Sequence, residues 1–122
     1  MRWTGACLCG AVAFSCQGRA RMAHECHCGQ CRRWSGHVWA YVQMQWPAIA
    51  FARDDGLRWY RHGPRALRGF CGECGTTLFF RPDRGAGVDV SAGALDPPTG
   101  LRLGAPSFPQ FQGDYCEPGW LA

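Results

Sequence analysis

The chain contains no lysine and no asparagine, so all thirteen of its Lys-or-Arg positions are arginine. Without lysine there is no Schiff-base nucleophile and no Walker A phosphate loop, and without asparagine there is no Cys-His-Asn protease triad. No apolar run is long enough to cross a bilayer, and residues 1–5 lead straight into a cysteine pair without the apolar core of a signal peptide. No stretch keeps a sustained 3.6-residue apolar period, so long helices are not expected. The net charge of +4 comes from scattered arginines, of which only Arg32 and Arg33 are adjacent. Nucleic-acid binders tend to carry a dense basic patch or run, which this chain lacks. We therefore expect no nucleic-acid partner and no membrane, only a mildly basic surface that favours small anions.

With 122 residues, 47% of them hydrophobic, the chain is expected to form one domain over residues 1–122. A domain of this size buries its chain less completely than a large one, so metal cross-links would help it. Short runs rich in β-branched or aromatic residues predict strands over 11–14, 38–42, 57–60, 76–80 and 88–90, with Gly, Pro or Asp in the gaps. At most one helical turn is expected after Cys28, through Gln30 to Trp34. Asp96-Pro97-Pro98 marks a break, and Pro106, Pro109 and Pro118 exclude a long regular element in the tail. The tail aromatics Phe108, Phe111, Tyr115 and Trp120 are expected to pack back over the sheet rather than to form a stacking platform.

Nine cysteines are present, and seven of them fall into three tight groups: Cys7-Leu8-Cys9, Cys26-His27-Cys28-Gly29-Gln30-Cys31 and Cys71-Gly72-Glu73-Cys74. The expected compartment is a reducing cytoplasm, where clustered thiols bind metal rather than form a disulfide framework, and the odd count points the same way. A structural zinc closes its tetrahedron with four protein ligands, whereas a catalytic zinc typically keeps three and leaves one position open. Seven cysteines suit four plus three. Cys71 and Cys74, followed by Gly75, read as a zinc knuckle, and Cys7 and Cys9, followed by Gly10, are the most economical partner pair because Cys26, Cys28 and Cys31 then stay together. Spacing leaves an alternative open, a single zinc ribbon joining Cys28 and Cys31 to Cys71 and Cys74.

His27, between two thiolates on a short loop, is expected to point away from the metal, with a role as fourth ligand the lesser reading. Cys16 reads as a small buried hydrophobe and Cys116 as an inert thiol, a resolving thiol being its alternative. Arg32 and Arg33 are the cations nearest in sequence to the three-cysteine group, suited either to substrate binding or to a surface ion pair or a cap on the short turn. Trp34, His37 and Trp39 are candidates to line a pocket, with aromatic core packing as the plainer reading.

Three spaced segments carry a family resemblance: Gly5-x-Cys7-x-Cys9-Gly10-x-Val12-x-Phe14; Cys26-His27-Cys28-x-x-Cys31-Arg32 with Gly36 after it; and Arg68-Gly69-Phe70-Cys71-x-x-Cys74-Gly75-Thr76-x-Leu78. In order and type they resemble the glutathione-dependent formaldehyde-activating enzyme family, whose domain is shared with centromere protein V. They cover roughly the first two thirds of the chain. The tail fits less well, because Ala105-Pro106-Ser107-Phe108 lacks the histidine that members often carry there, and Pro118-Gly119-Trp120 only approximates their ending.

The resemblance implies a mainly β, Mss4-like zinc-binding fold with little helix. It implies two zinc ions per chain, a structural one on Cys7, Cys9, Cys71 and Cys74 and a catalytic one on Cys26, Cys28 and Cys31. It further implies a carbon–sulfur lyase resembling S-hydroxymethylglutathione synthase, with a small thiol such as glutathione and an aldehyde as partners. The alternative from a different class is a zinc-stabilised interaction module without activity, which would be easier to support with a basic or low-complexity extension. A thiol redox enzyme using Cys116 is a third reading, weakened by the absence of a C-x-x-C motif on a βαβ unit.

Overall fold

The computed structural model describes residues 1–116, so Pro118 and Trp120 of the expected tail lie outside the described residues. The fold is mainly β, as expected. Among the described residues there are ten strands in two sheets and one α-helix. The strands are β1 (Arg2–Ala6), β2 (Ala13–Gln17), β3 (Met22–Cys26), β4 (Trp39–Gln45), β5 (Ile49–Arg53), β6 (Leu57–Arg61), β7 (Ala66–Cys71), β8 (Thr77–Pro82), β9 (Gly87–Ser91) and β10 (Arg102–Ser107), with helix α1 (Gly29–Ser35) between β3 and β4. The small sheet has the order β1-β2-β5 and the large one the order β10-β3-β4-β9-β8-β7-β6. All pairings are antiparallel except β10 with β3. No helix among the described residues is long and apolar enough to cross a membrane.

Five strands lie at or near the expected places. β2 starts two residues later than expected, because Ala11 and Val12 belong to a turn in which the Val12 carbonyl accepts from the Cys7 amide at 2.9 Å. The other five carry weak local signals. β3 (MAHEC) and β7 (ALRGFC) place charged or small residues among the apolar ones, and their burial comes from neighbouring strands rather than from propensity. β10, of six residues, is a short element rather than the long one that the tail prolines exclude. It contains Gly104 and Pro106, yet it pairs with β3 as an edge strand with a register shift between Leu103 and Pro106, and an edge or a bulge is where a strand tolerates proline.

Side chains alternate between the two faces of the large sheet, which sorts it into two environments. On one face Phe79 packs edge-on against Phe14 and Phe51 of the small sheet, at ring-centroid distances of 5.3 and 5.9 Å, and against Trp46 at 5.8 Å. This is the main core, with Val12, Val42, Leu78 and Val90 fully buried around it. On the other face the register places Tyr60, Arg68, Phe80 and Asp89 side by side across β6, β7, β8 and β9. A second, smaller apolar cluster of Cys26, Cys31 and Trp39 forms with Trp34, Tyr41 and Phe80 packed against it.

Candidate metal centres and the adjoining cleft

The four-cysteine group is assembled from two turns of similar build. Cys7 and Cys9 sit in the turn between β1 and β2, while Cys71 ends β7 and Cys74 lies in the turn that leads to β8. In each, a glycine that follows the second cysteine donates its amide to the carbonyl of the first: Gly10 to Cys7 at 3.2 Å and Gly75 to Cys71 at 2.8 Å. Both glycines are left-handed, with φ of 84° and 81°, a conformation that costs a side-chain-bearing residue energy and glycine none. The turns are stitched together by Thr76, whose hydroxyl accepts from the Leu8 amide at 3.1 Å and lies 3.2 Å from Cys74 Sγ.

The four sulfurs lie within 4.8 Å of one another. Cys7 to Cys9 and Cys9 to Cys71 both measure 3.8 Å. A tetrahedral ion with metal–sulfur bonds of about 2.3 Å separates its ligands by about 3.8 Å, so the donor set fits such an ion. Cys74 is held low, at about 5, first by the Thr76 hydroxyl and then by backbone donors, which favours the thiolate that a metal needs. Cys28 and Cys31 belong to a separate group, so the single-ribbon arrangement with Cys71 and Cys74 does not occur.

The three-cysteine group comes from one continuous segment. Cys26 ends β3, Cys28 is the N-cap of α1 and accepts from the Cys31 amide at 3.4 Å, and Cys31 lies on the first turn of that helix. The helix closes at Gly36, left-handed at φ 94°, whose amide donates to the Arg32 carbonyl. The expected short turn is thus a seven-residue helix. The three sulfurs also lie within 4.8 Å of one another, a soft thiolate set that suits zinc or an iron–sulfur centre. Crowding divides their protons unequally. Cys26 is lowered to about 5, chiefly by a hydrogen bond from Cys31, with help from Cys28 and the charge of Arg68, while Cys31 is pushed far up by the same partnership. A cation bound here would take the place of the shared protons.

His27 is buried, with Nε2 3.3 Å from Glu25 Oε2, and stands outside the three-sulfur group. Trp39 is buried and donates its indole N–H to Ser91 Oγ at 2.7 Å, and Ser91 donates in turn to the Thr77 carbonyl at 2.7 Å, so its place is in the core. His37 is exposed and lies 3.3 Å from the Tyr115 hydroxyl. Cys16 is 1% exposed and burial pushes its thiol up, in keeping with an inert hydrophobe. Cys116 stands outside both groups.

Cys28 also lines a cleft of about 640 Å³. Trp34, Tyr60, Phe108 and Phe111 form its aromatic walls, and Arg33 and Arg68 bring two cations to it. This corrects the expectation for the tail: Phe108, Phe111 and Tyr115 are 52%, 54% and 63% exposed instead of packed over the sheet, because the 3₁₀ turn at Pro109–Phe111 sets the first two at the mouth of the cleft. Arg68, which sequence reasoning quoted within a motif and gave no role, is the least exposed of the charged residues lining it. Its position three residues before a buried strand-end cysteine was the one available signal.

Two cysteine groups, each compact enough to hold a metal ion, on a two-sheet β scaffold define a class of small β proteins with clustered thiols. Within that class, residues 2–111 match the family described as glutathione-dependent formaldehyde-activating enzyme, and the chain belongs to this family. It is 33% identical over 79 residues to a Schizosaccharomyces pombe protein named as an uncharacterized lyase, an alignment that covers 64% of this chain and 56% of the relative. The chain thus spans little more than half the length of that relative. It also resembles the crystal structure of a Rhodobacter sphaeroides protein, with a TM-score of 0.62 and 24% identity over 85% of this chain and 100% of that one, a likeness of fold.

Proposed function

We propose that residues 1–122 act as one zinc-binding domain and that this domain is a carbon–sulfur lyase for small thiol–aldehyde adducts, like S-hydroxymethylglutathione synthase. Family membership and the lyase name of the yeast relative support the reaction class. The single observation that carries it is the three-cysteine group, one of whose members, Cys28, lines a substrate-sized cleft. Cys26, Cys28 and Cys31 would hold a catalytic zinc, and Cys7, Cys9, Cys71 and Cys74 a structural one. The catalytic ion would supply Lewis acidity, lowering the pKa of a thiol bound beside the three cysteines.

The chain's own residues contribute apolar contact and charge. In the synthetic direction the thiol sulfur forms a bond to the aldehyde carbon, the carbonyl π pair becomes a hydroxyl, and the thiol proton ends on that oxygen; the lyase direction reverses each change. Trp34, Phe108 and Phe111 offer apolar surface beside the reacting atoms. Arg33 and Arg68 raise the local concentration of an anionic thiol.

The test is calorimetric titration of zinc-loaded protein with glutathione and with its serine-containing analogue, in buffers of different ionisation enthalpy. The thiol should bind with release of a proton and the alcohol should not. Equal binding of the two ligands, or binding of neither while a larger partner binds, would sink the lyase reading and leave the interaction module in its place.

A further inference from the structure

Arg68 is charged, 5% exposed, and engaged on its faces but not along the whole of its edge. Its guanidinium carbon lies 4.8 Å from the Trp34 ring centroid and 4.9 Å from that of Phe80, so two aromatic faces hold the plane of the group. Nη2 donates to Gln30 Oε1 at 3.0 Å. Nη1 is buried and has no hydrogen-bond partner. Among the described residues, ion pairs between carboxylates and arginines engage Arg53 and Arg61 and leave Arg68 without one.

A buried donor of a charged group left unmade costs more than a neutral one, and a guanidinium fixed in its plane presents a fork suited to a carboxylate. Gln30 and Trp34, which hold Arg68, stand on the same helix as Cys31, immediately after Cys28. Arg68 and Cys28 line one cleft, whose walls are otherwise largely aromatic, and no Asp or Glu lines it among the described residues. The cleft therefore offers counter-charge to an anion and flat apolar surface to its body, and offers no carboxylate to a ligand ammonium.

Resting on the thiol-lyase reading above, we propose that Arg68 is an anion-recognition residue: its unpartnered Nη1 donates to a carboxylate oxygen of a ligand whose thiol sulfur lies at Cys26, Cys28 and Cys31. The thiol class so selected is a mercapto-carboxylic acid with a flat or apolar body. Arg68 reads the acid, and the aromatic walls read the body.

The test loads the protein with cobalt in place of zinc and titrates it with 3-mercaptobenzoate and with the methyl ester of that acid. Thiol binding is followed by the sulfur-to-cobalt charge-transfer absorption, which does not depend on turnover. Wild-type protein should bind the acid about tenfold or more tightly than the ester, the discrimination expected of one charge-assisted hydrogen bond. Arg68→Gln should bring the acid-to-ester ratio close to one, and Arg68→Lys, which keeps the charge and loses the fork, should leave an intermediate ratio. The ratio is internal to each variant, so a general loss of affinity does not mimic the effect. If Arg68→Gln does not fold, Arg68→Lys is read alone, and a ratio equal to that of wild type overturns the proposal.

The proposal is also overturned if wild-type protein binds acid and ester alike, if Arg68→Gln keeps the wild-type ratio, or if Arg33→Gln rather than Arg68→Gln abolishes it. In each of these cases thiols still perturb the cobalt spectrum, and the lyase site stands. If neither thiol perturbs the spectrum, the thiol-binding reading itself fails and takes the Arg68 assignment with it.

Discussion

The four-cysteine and three-cysteine groups use the same donor atom at similar spacing, and they differ in what they join. The first clamps two hairpin turns whose closest cysteines, Cys9 and Cys71, are 62 residues apart and whose sulfurs lie 3.8 Å from each other. The second is gathered within one segment of six residues, from the end of β3 to the first turn of α1. A cross-link over a long loop removes more freedom from the unfolded chain than a local one, so a metal in the first group stabilises the fold more than a metal in the second. The surroundings differ in the same sense. Thr76 and the knuckle amides complete the first group, while the second opens through Cys28 onto a cleft with aromatic walls and two arginines.

The sharpest way to break this comparison is to remove one ligand from each group. Cys71→Ser is expected to abolish cooperative folding at ambient temperature. Apparent metal-binding energies of structural zinc, about 10–16 kcal/mol, are comparable to the whole stability of a small domain. Cys28→Ser should lower Tm by only about 5 °C or less. Thermal unfolding followed by circular dichroism compares the two, and equal losses would end the distinction.

Metal removal probes the same contrast with a smaller effect. A two-metal protein treated with a mild chelator should lose one equivalent first, with its fold kept, and the second only on unfolding. Protein carrying a Cys26→Ser change should start with one equivalent and lack the fast phase. Metal analysis of the chelated fractions, with circular dichroism alongside, reads both.

Asp89 sharpens the comparison through charge. It lies in the same cross-strand row as Phe80 and Arg68, and its carboxyl is raised to about 6 by burial and then by the Cys26 thiolate. A raised carboxyl pKa means that the folded state holds the proton more tightly than the unfolded one. The charged form therefore destabilises the fold above about pH 6, and the penalty relaxes as pH falls toward the ordinary value of 3.8. Asp89→Asn should stabilise the protein at pH 8 by about 1–2 kcal/mol, after allowance for partial exposure, and by about half as much at pH 5. Urea unfolding at the two pH values measures it, and a pH-independent gain would assign the effect to something other than charge.

The smallest effect concerns the stitch between the knuckles. Thr76→Val removes the acceptor for the Leu8 amide and the hydroxyl beside Cys74, and should cost about 1 kcal/mol in urea unfolding. Metal should also leave the four-cysteine group sooner, which chelation of the same variant would register.

Local chemistry was legible in the chain: cysteines two or three positions apart with a glycine behind them form a knuckle, since the turn needs little beyond its own backbone hydrogen bonds. Strands with dense β-branched and aromatic content, such as β4, β8 and β9, were legible for the same reason. β3, β7 and β10 were not, because residues such as Glu25, Arg68 and Pro106 are placed in strands by partners far away in sequence. Tertiary structure alone decided which knuckle met which, since a 62-residue loop closes on the register of the strands at its ends and not on cysteine spacing. It also decided that Phe108 and Phe111 stand at the mouth of a cleft instead of over the core, and that a strand arginine lies between Trp34 and Phe80 beside the second cysteine group. Spacing encodes ligands that share a turn; alternation across paired strands, which exists only once the sheet has formed, determines what those ligands face.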